Sequence, residues 1–152
     1  MINFSRILFV FVLLPVLAGC SIPMDFFVVN KTAGKATLII KFSAPLDYIT
    51  KNERYLQLKY ADTILPVNHK THQSLPKRLS YTAIDDRTIS VEIPGHSTVL
   101  VGGRTNGPLM ADSLTFISNQ TTARYSIVSL QEHTHRTKSI TSTIHFTYII
   151  NN

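Results

Sequence analysis

The strongest constraint on how this chain folds is an apolar pattern with a period of two. Thr88–Ile93 sets Ile89, Val91 and Ile93 against Ser90 and Glu92, and Ala36–Phe42 sets Leu38, Ile40 and Phe42 against Thr37 and Lys41. In an extended chain alternate side chains point to opposite faces, so each run reads as a strand with one buried face. Residues 26–30, 55–60, 98–102, 113–118, 124–130 and 143–150 extend the set, and β-branched and aromatic residues fill them, as a pleated, half-buried surface prefers. No ten-residue stretch carries a helical period.

Turn chemistry separates the runs. Thr32-Ala33-Gly34-Lys35 predicts a hairpin between the first two strands, Pro94-Gly95-His96 predicts a corner, and residues 102–108 (GGRTNGP) predict a long loop. Residues 61–78 show no clear pattern and are expected to form a loop or a short irregular strand. Seven to nine short strands without helices imply an all-β fold, an antiparallel immunoglobulin-like β-sandwich spanning residues 26–152. A membrane-spanning barrel needs strands of about 9–11 residues, and most runs here hold five to seven.

The beginning of the chain is different. Arg6 precedes an unbroken apolar run at residues 7–17 (ILFVFVLLPVL), followed by Ala18, Gly19 and Cys20. A basic start, a short apolar stretch and small residues describe a secretory signal peptide, and the run is shorter than the ~20 residues of a spanning helix. Leu17-Ala18-Gly19-Cys20 resembles the lipobox of bacterial lipoproteins, and Cys20 is the only cysteine among the 152 residues. The resemblance implies cleavage after Gly19, a diacylglycerol on the Cys20 sulfur and membrane attachment through acyl chains, with no cofactor besides that covalent lipid. Residues 1–19 are then the signal peptide and 20–25 the acylated cysteine with a short tether. In Gram-negative lipoproteins an aspartate just after the cysteine commonly retains the protein at the inner membrane. Ser21 stands there, so the expected address is the outer membrane, facing the periplasm.

Charge bounds the partners. The full chain carries +6, and loss of Arg6 with residues 1–19 leaves fourteen basic against nine acidic groups, a net +5. The basic residues are scattered, with Lys77-Arg78 the tight pair, and the envelope is the wrong compartment for nucleic acid, which is therefore not an expected partner. Acidic partners and anionic headgroups suit such a surface.

Catalytic chemistry finds little support. There is no Gly-x-Ser-x-Gly elbow, the glycines at 102 and 107 lack the Lys and Ser/Thr of a phosphate loop, and lipidation consumes Cys20. The reading is a non-enzymatic module that binds an envelope protein or a cell-wall component. Its contacts are expected on loops 61–78 and 102–112, with Lys77, Arg78, Arg104 and Asn106 as candidates, since rigid sandwiches present function on loops. The alternative is a small-ligand or metal-ion carrier using the pairs His69/His72 and His133/His135. The latter two share a face if extended. A third reading, inhibition of wall-degrading enzymes, is weakened by charge, because basic lysozymes would be repelled.

Overall fold

The computed structural model of the protein describes residues 21–119, 121–139 and 143–151. The expected signal peptide, residues 1–19, and the expected lipidation site Cys20 lie outside the described residues. Two sheets face one another. One is six-stranded, in the order β10-β11-β1-β7-β3-β4, and the other is five-stranded, in the order β5-β6-β2-β8-β9. The strands are β1 Pro23–Asn30, β2 Ala36–Phe42, β3 Lys59–Ala61, β4 Lys77–Arg78, β5 Tyr81–Ala83, β6 Thr88–Ile93, β7 Ser97–Thr105, β8 Ala111–Ile117, β9 Thr122–Ser126, β10 His135–Lys138 and β11 Ile144–Ile150. Eleven strands replace the seven to nine expected, the surplus being pieces of two to four residues at sheet edges.

The alternation read from the sequence is what builds the main core. Phe26, Val28, Val99, Val101, Ile144 and Phe146 project inward from the six-stranded sheet. They meet Leu38, Ile40, Ile89, Val91, Leu114 and Phe116 from the other, all buried. Ile49 of the short helix Leu46–Lys51 and Leu130 of the helix Ile127–Leu130 pack against this same core.

Three expectations are corrected. The residues 32–35 do not close a hairpin, because β1 and β2 belong to different sheets and the chain crosses the sandwich there. The stretch 102–108 is not all loop: β7 continues through Gly102, Gly103 and Arg104 to Thr105. The sandwich is not wholly antiparallel either, since β1 pairs with β11 in parallel, Met24 opposite Ile144 through Asn30 opposite Ile150. The chain leaves β9, passes the helix 127–130, enters β10 at the sheet edge and reverses into β11, which therefore arrives running with β1.

Asn30 locks two crossovers together. It is fully buried, and its amide nitrogen donates to the carbonyls of Gly34 (2.9 Å) and Pro94 (3.0 Å). Its carbonyl oxygen accepts from the backbone N–H (3.0 Å) and hydroxyl (2.8 Å) of Thr32. A side chain at Gly95 would overlap the Ala33 carbonyl, so the two corners touch backbone to backbone.

The outer face of the six-stranded sheet is also covered. Phe27 and Leu100 point away from the main core and meet Ala61 and Leu75, with Leu65 and Val67 packed on them. Residues 62–76 thus form a flap over β1 and β7. The flap is fastened by Leu65 N–H donating to Thr98 Oγ1 (2.9 Å), and internally by Thr71, whose hydroxyl donates to Pro66 O (2.9 Å). Burial on both faces explains why β1 reads as a continuous apolar run rather than an alternating one.

Substitutions should separate these roles in urea unfolding. Leu38→Ala, in the main core, should cost about 2–5 kcal/mol, whereas Lys41→Ala, exposed on the same strand, should stay within about 0.5 kcal/mol. Asn30→Ala should cost at least about 1–3 kcal/mol, the penalty for the first of the buried groups it orphans.

Candidate functional site

Polar groups converge where the flap meets the sheet. On β1 the outward positions are Asp25 and Phe27, and the parallel register places His145 of β11 beside Asp25. On the other side of β1, Asp25 faces Gly103 of β7. A side chain there would overlap Asp25 Oδ1 and the Met24 carbonyl, so the glycine is what leaves room for a carboxylate. The flap supplies His72 from the 3-10 turn Thr71–Ser74.

The geometry is compact. Asp25 Oδ2 lies 3.0 Å from His72 Nε2 and 3.5 Å from His145 Nδ1, while Arg54 Nη2 stands 3.9 Å from Oδ1. Phe27 sits edge-on to both imidazoles, with ring centroids 5.6 Å away in each case. Asp25 and His145 are buried, at 4% and 1% exposure, and His72 is half-buried.

Burial alone would raise the Asp25 pKa. The two imidazoles beside it, His72 hydrogen-bonded at 3.0 Å and His145 standing 3.5 Å away, outweigh burial and hold the carboxyl down at about 2, against an ordinary 3.8. An ionised carboxylate only accepts, so His72 Nε2 carries the proton between them. His145 is less well served. Its two ring nitrogens are the buried side-chain atoms that lack a hydrogen-bond partner among the described residues, with Nδ1 standing off at 3.5 Å from Asp25 Oδ2.

The residues chosen from sequence are scattered relative to this cluster. His72 belongs to it, while His69, three residues earlier, is exposed in the flap. His133 ends a 3-10 turn and packs on the Tyr125 ring (4.7 Å between centroids), and His135 opens β10, so the two do not share one strand. Lys77 pairs with Asp62 and lies over the Tyr60 ring at 5.7 Å. Asn106 adopts a left-handed φ of 59° and clamps the residue just before β1: its side-chain oxygen accepts from Ile22 N–H (3.1 Å) and its own N–H donates to Ile22 O (2.9 Å).

Arg78 and Arg104 line two separate grooves that have Arg54 in common. Arg78 lines a groove of about 440 Å³ with Arg54, Lys59 and Glu53, and Arg104 lines a second of about 180 Å³.

No family model, no curated protein and no solved structure matches the chain.

Sequence reasoning missed Asp25 and His145. A signal was present, since each is a polar residue inside a strongly apolar strand (PMDFFVVN and IHFTYII). Only the parallel pairing makes them neighbours.

Because its folded pKa is depressed, Asp25 contributes stability above its unfolded pKa of about 4 that is lost as pH falls towards 2. The shift corresponds to about 2 kcal/mol. Urea midpoints measured from pH 5 to pH 2 should therefore fall more steeply for the native chain than for Asp25→Asn. Gly103→Ala should destabilise the fold at every pH in that series.

Proposed function

We propose that this protein is a lipid-anchored envelope lipoprotein, attached through Cys20 to the outer membrane and facing the periplasm. In this reading its β-sandwich works by binding another envelope component rather than by catalysis. The tetrapeptide Leu17-Ala18-Gly19-Cys20 supports the anchor. The observation that carries the reading is the fastening of the adjacent chain. Only Ser21 and Ile22 separate Cys20 from β1, and Ile22 is clamped through both its N–H and its carbonyl by Asn106. Three residue steps span at most roughly 11 Å, so an acylated Cys20 holds this end of the sandwich against the bilayer.

The register at that end fits an anionic surface. Lys138 stands opposite Ile144, Ile144 opposite Met24, and Met24 opposite Arg104, which sets a cation on each side of the anchored strand. Basic residues this close to anionic headgroups add about 1 kcal/mol each. The two grooves lined by Arg104, Lys59 and Arg78, with Arg54 in both, are the proposed contact for an acidic envelope protein or cell-wall component. The immunoglobulin-like character of the sandwich belongs to the same proposal and is supported by the handover from β6 to β7 between sheets at Pro94-Gly95.

Metabolic labelling with an alkyne fatty acid tests the anchor. The native chain should take up label and sediment with membranes, and Cys20→Ser should do neither. An unlabelled native chain, or a Cys20→Ser chain that still sediments, overturns it. Crosslinking in the envelope tests the surface: products should be lost from the double variant Arg78→Ala, Arg104→Ala and kept by His69→Ala.

A further inference from the structure

We propose that Asp25, His72 and His145 form a binding site for a divalent transition-metal ion, and that this ion staples the flap 62–76 to the six-stranded sheet. The inference is independent of the lipid anchor. Its starting point is the buried imidazole of His145, at 1% exposure, whose two ring nitrogens have no hydrogen-bond partner among the described residues and which lies against the Asp25 carboxylate. An orphaned buried polar group costs about 1–3 kcal/mol. A sandwich with an apolar outer core has simpler residues to place there, unless the ring has something to hold.

The donor set points to the class of ion. One ligand atom from each of the three residues lies within 4.8 Å of the others. Metal–ligand distances of about 2.0–2.1 Å in a tetrahedral zinc site place neighbouring donors roughly 3.3 Å apart. Asp25 Oδ2 already stands 3.0 Å from His72 Nε2 and 3.5 Å from His145 Nδ1. Two imidazoles and one carboxylate suit zinc, nickel, cobalt or copper and not calcium or magnesium, which prefer all-oxygen shells. His72 is a third exposed, so the fourth position opens to solvent and supplies an entry path. Arg54 stands by Oδ1 and leaves Oδ2 to the ion, orienting the carboxylate as outer-shell partners do. On binding, the ion replaces the proton that His72 Nε2 donates to Asp25, and that proton leaves to solvent.

The consequence follows from where the ligands lie in the chain. Asp25 is on β1, His145 on β11 and His72 on the flap. The flap otherwise holds by a small apolar cluster and few backbone links. A metal bond to His72 adds a crosslink between it and two paired strands.

The full chain, purified in metal-free buffer, is titrated with zinc and with cobalt. One ion should bind per chain, cobalt should develop the strong visible bands of a tetrahedral site, and zinc should slow proteolysis within residues 62–76. His72 lies on a half-exposed turn, and a glutamine there keeps an N–H that can donate to Asp25, so His72→Gln should fold. It should weaken zinc affinity by at least the roughly 100-fold that marks loss of a ligand's support, and abolish the protection of the flap. Asp25→Asn, nearly isosteric, should do the same. His133→Ala, His135→Ala should leave binding unchanged. Absence of zinc binding by the native chain overturns the proposal. So does binding that persists in folded His72→Gln and Asp25→Asn, or that disappears in the His133, His135 double variant.

Discussion

The two-sided burial of β1 is the constraint on which the rest of the molecule depends. Its inward residues, Phe26 and Val28, fill the space between the sheets, while Phe27 anchors a second, smaller core on the outside. Its last residue, Asn30, ties together two of the corners where the chain crosses the sandwich, β1 to β2 and β6 to β7. Its third residue is the carboxylate around which His72, His145 and Arg54 gather. A strand with water on one face could be displaced without losing the other face. This one cannot shift by a residue, because a slip exchanges Asp25 and Phe27 for Phe26 and Val28 on opposite sides.

The flap is the counterpart of that constraint. A sandwich sheet needs only its inner face covered, yet here residues 62–76 bury Leu100 and Phe27 from the outside. The cover is modest in area and light in regular structure, and a charged carboxylate is enclosed at its margin. Buried charge is tolerated only when paired, so His72 has a structural role whether or not an ion joins it: it brings the flap's own partner to Asp25. The proposed metal site and the packing of the flap are two aspects of one arrangement.

Legibility in the sequence followed the physics of each element. β2 and β6 coincide with the expected runs because one face of each is buried and the other is polar. The run 55–60 shrinks to β3 because Leu58 takes a left-handed φ of 49° and only the residues after it pair. The run 124–130 ends at Ser126, whose hydroxyl caps a helical turn by accepting from Ser129 N–H, a local competition that alternation does not register. Histidines close in sequence drew attention, whereas the cluster uses residues from three distant segments. Pairing of β1 with β11 is a tertiary fact with no local trace, and Asp25 beside His145 inherits that invisibility.

The parallel pair also orders events in time. β1 is the first described strand and β11 the last, and β1 has the flap over one face and the opposite sheet over the other. Until β11 arrives, one edge of β1 offers unpaired N–H and C=O groups, and the six-stranded sheet stays incomplete. Contacts separated by nearly the whole chain close late and slowly. Closure of the sheet therefore waits for residues 144–150, and that edge of β1 stays open until they arrive.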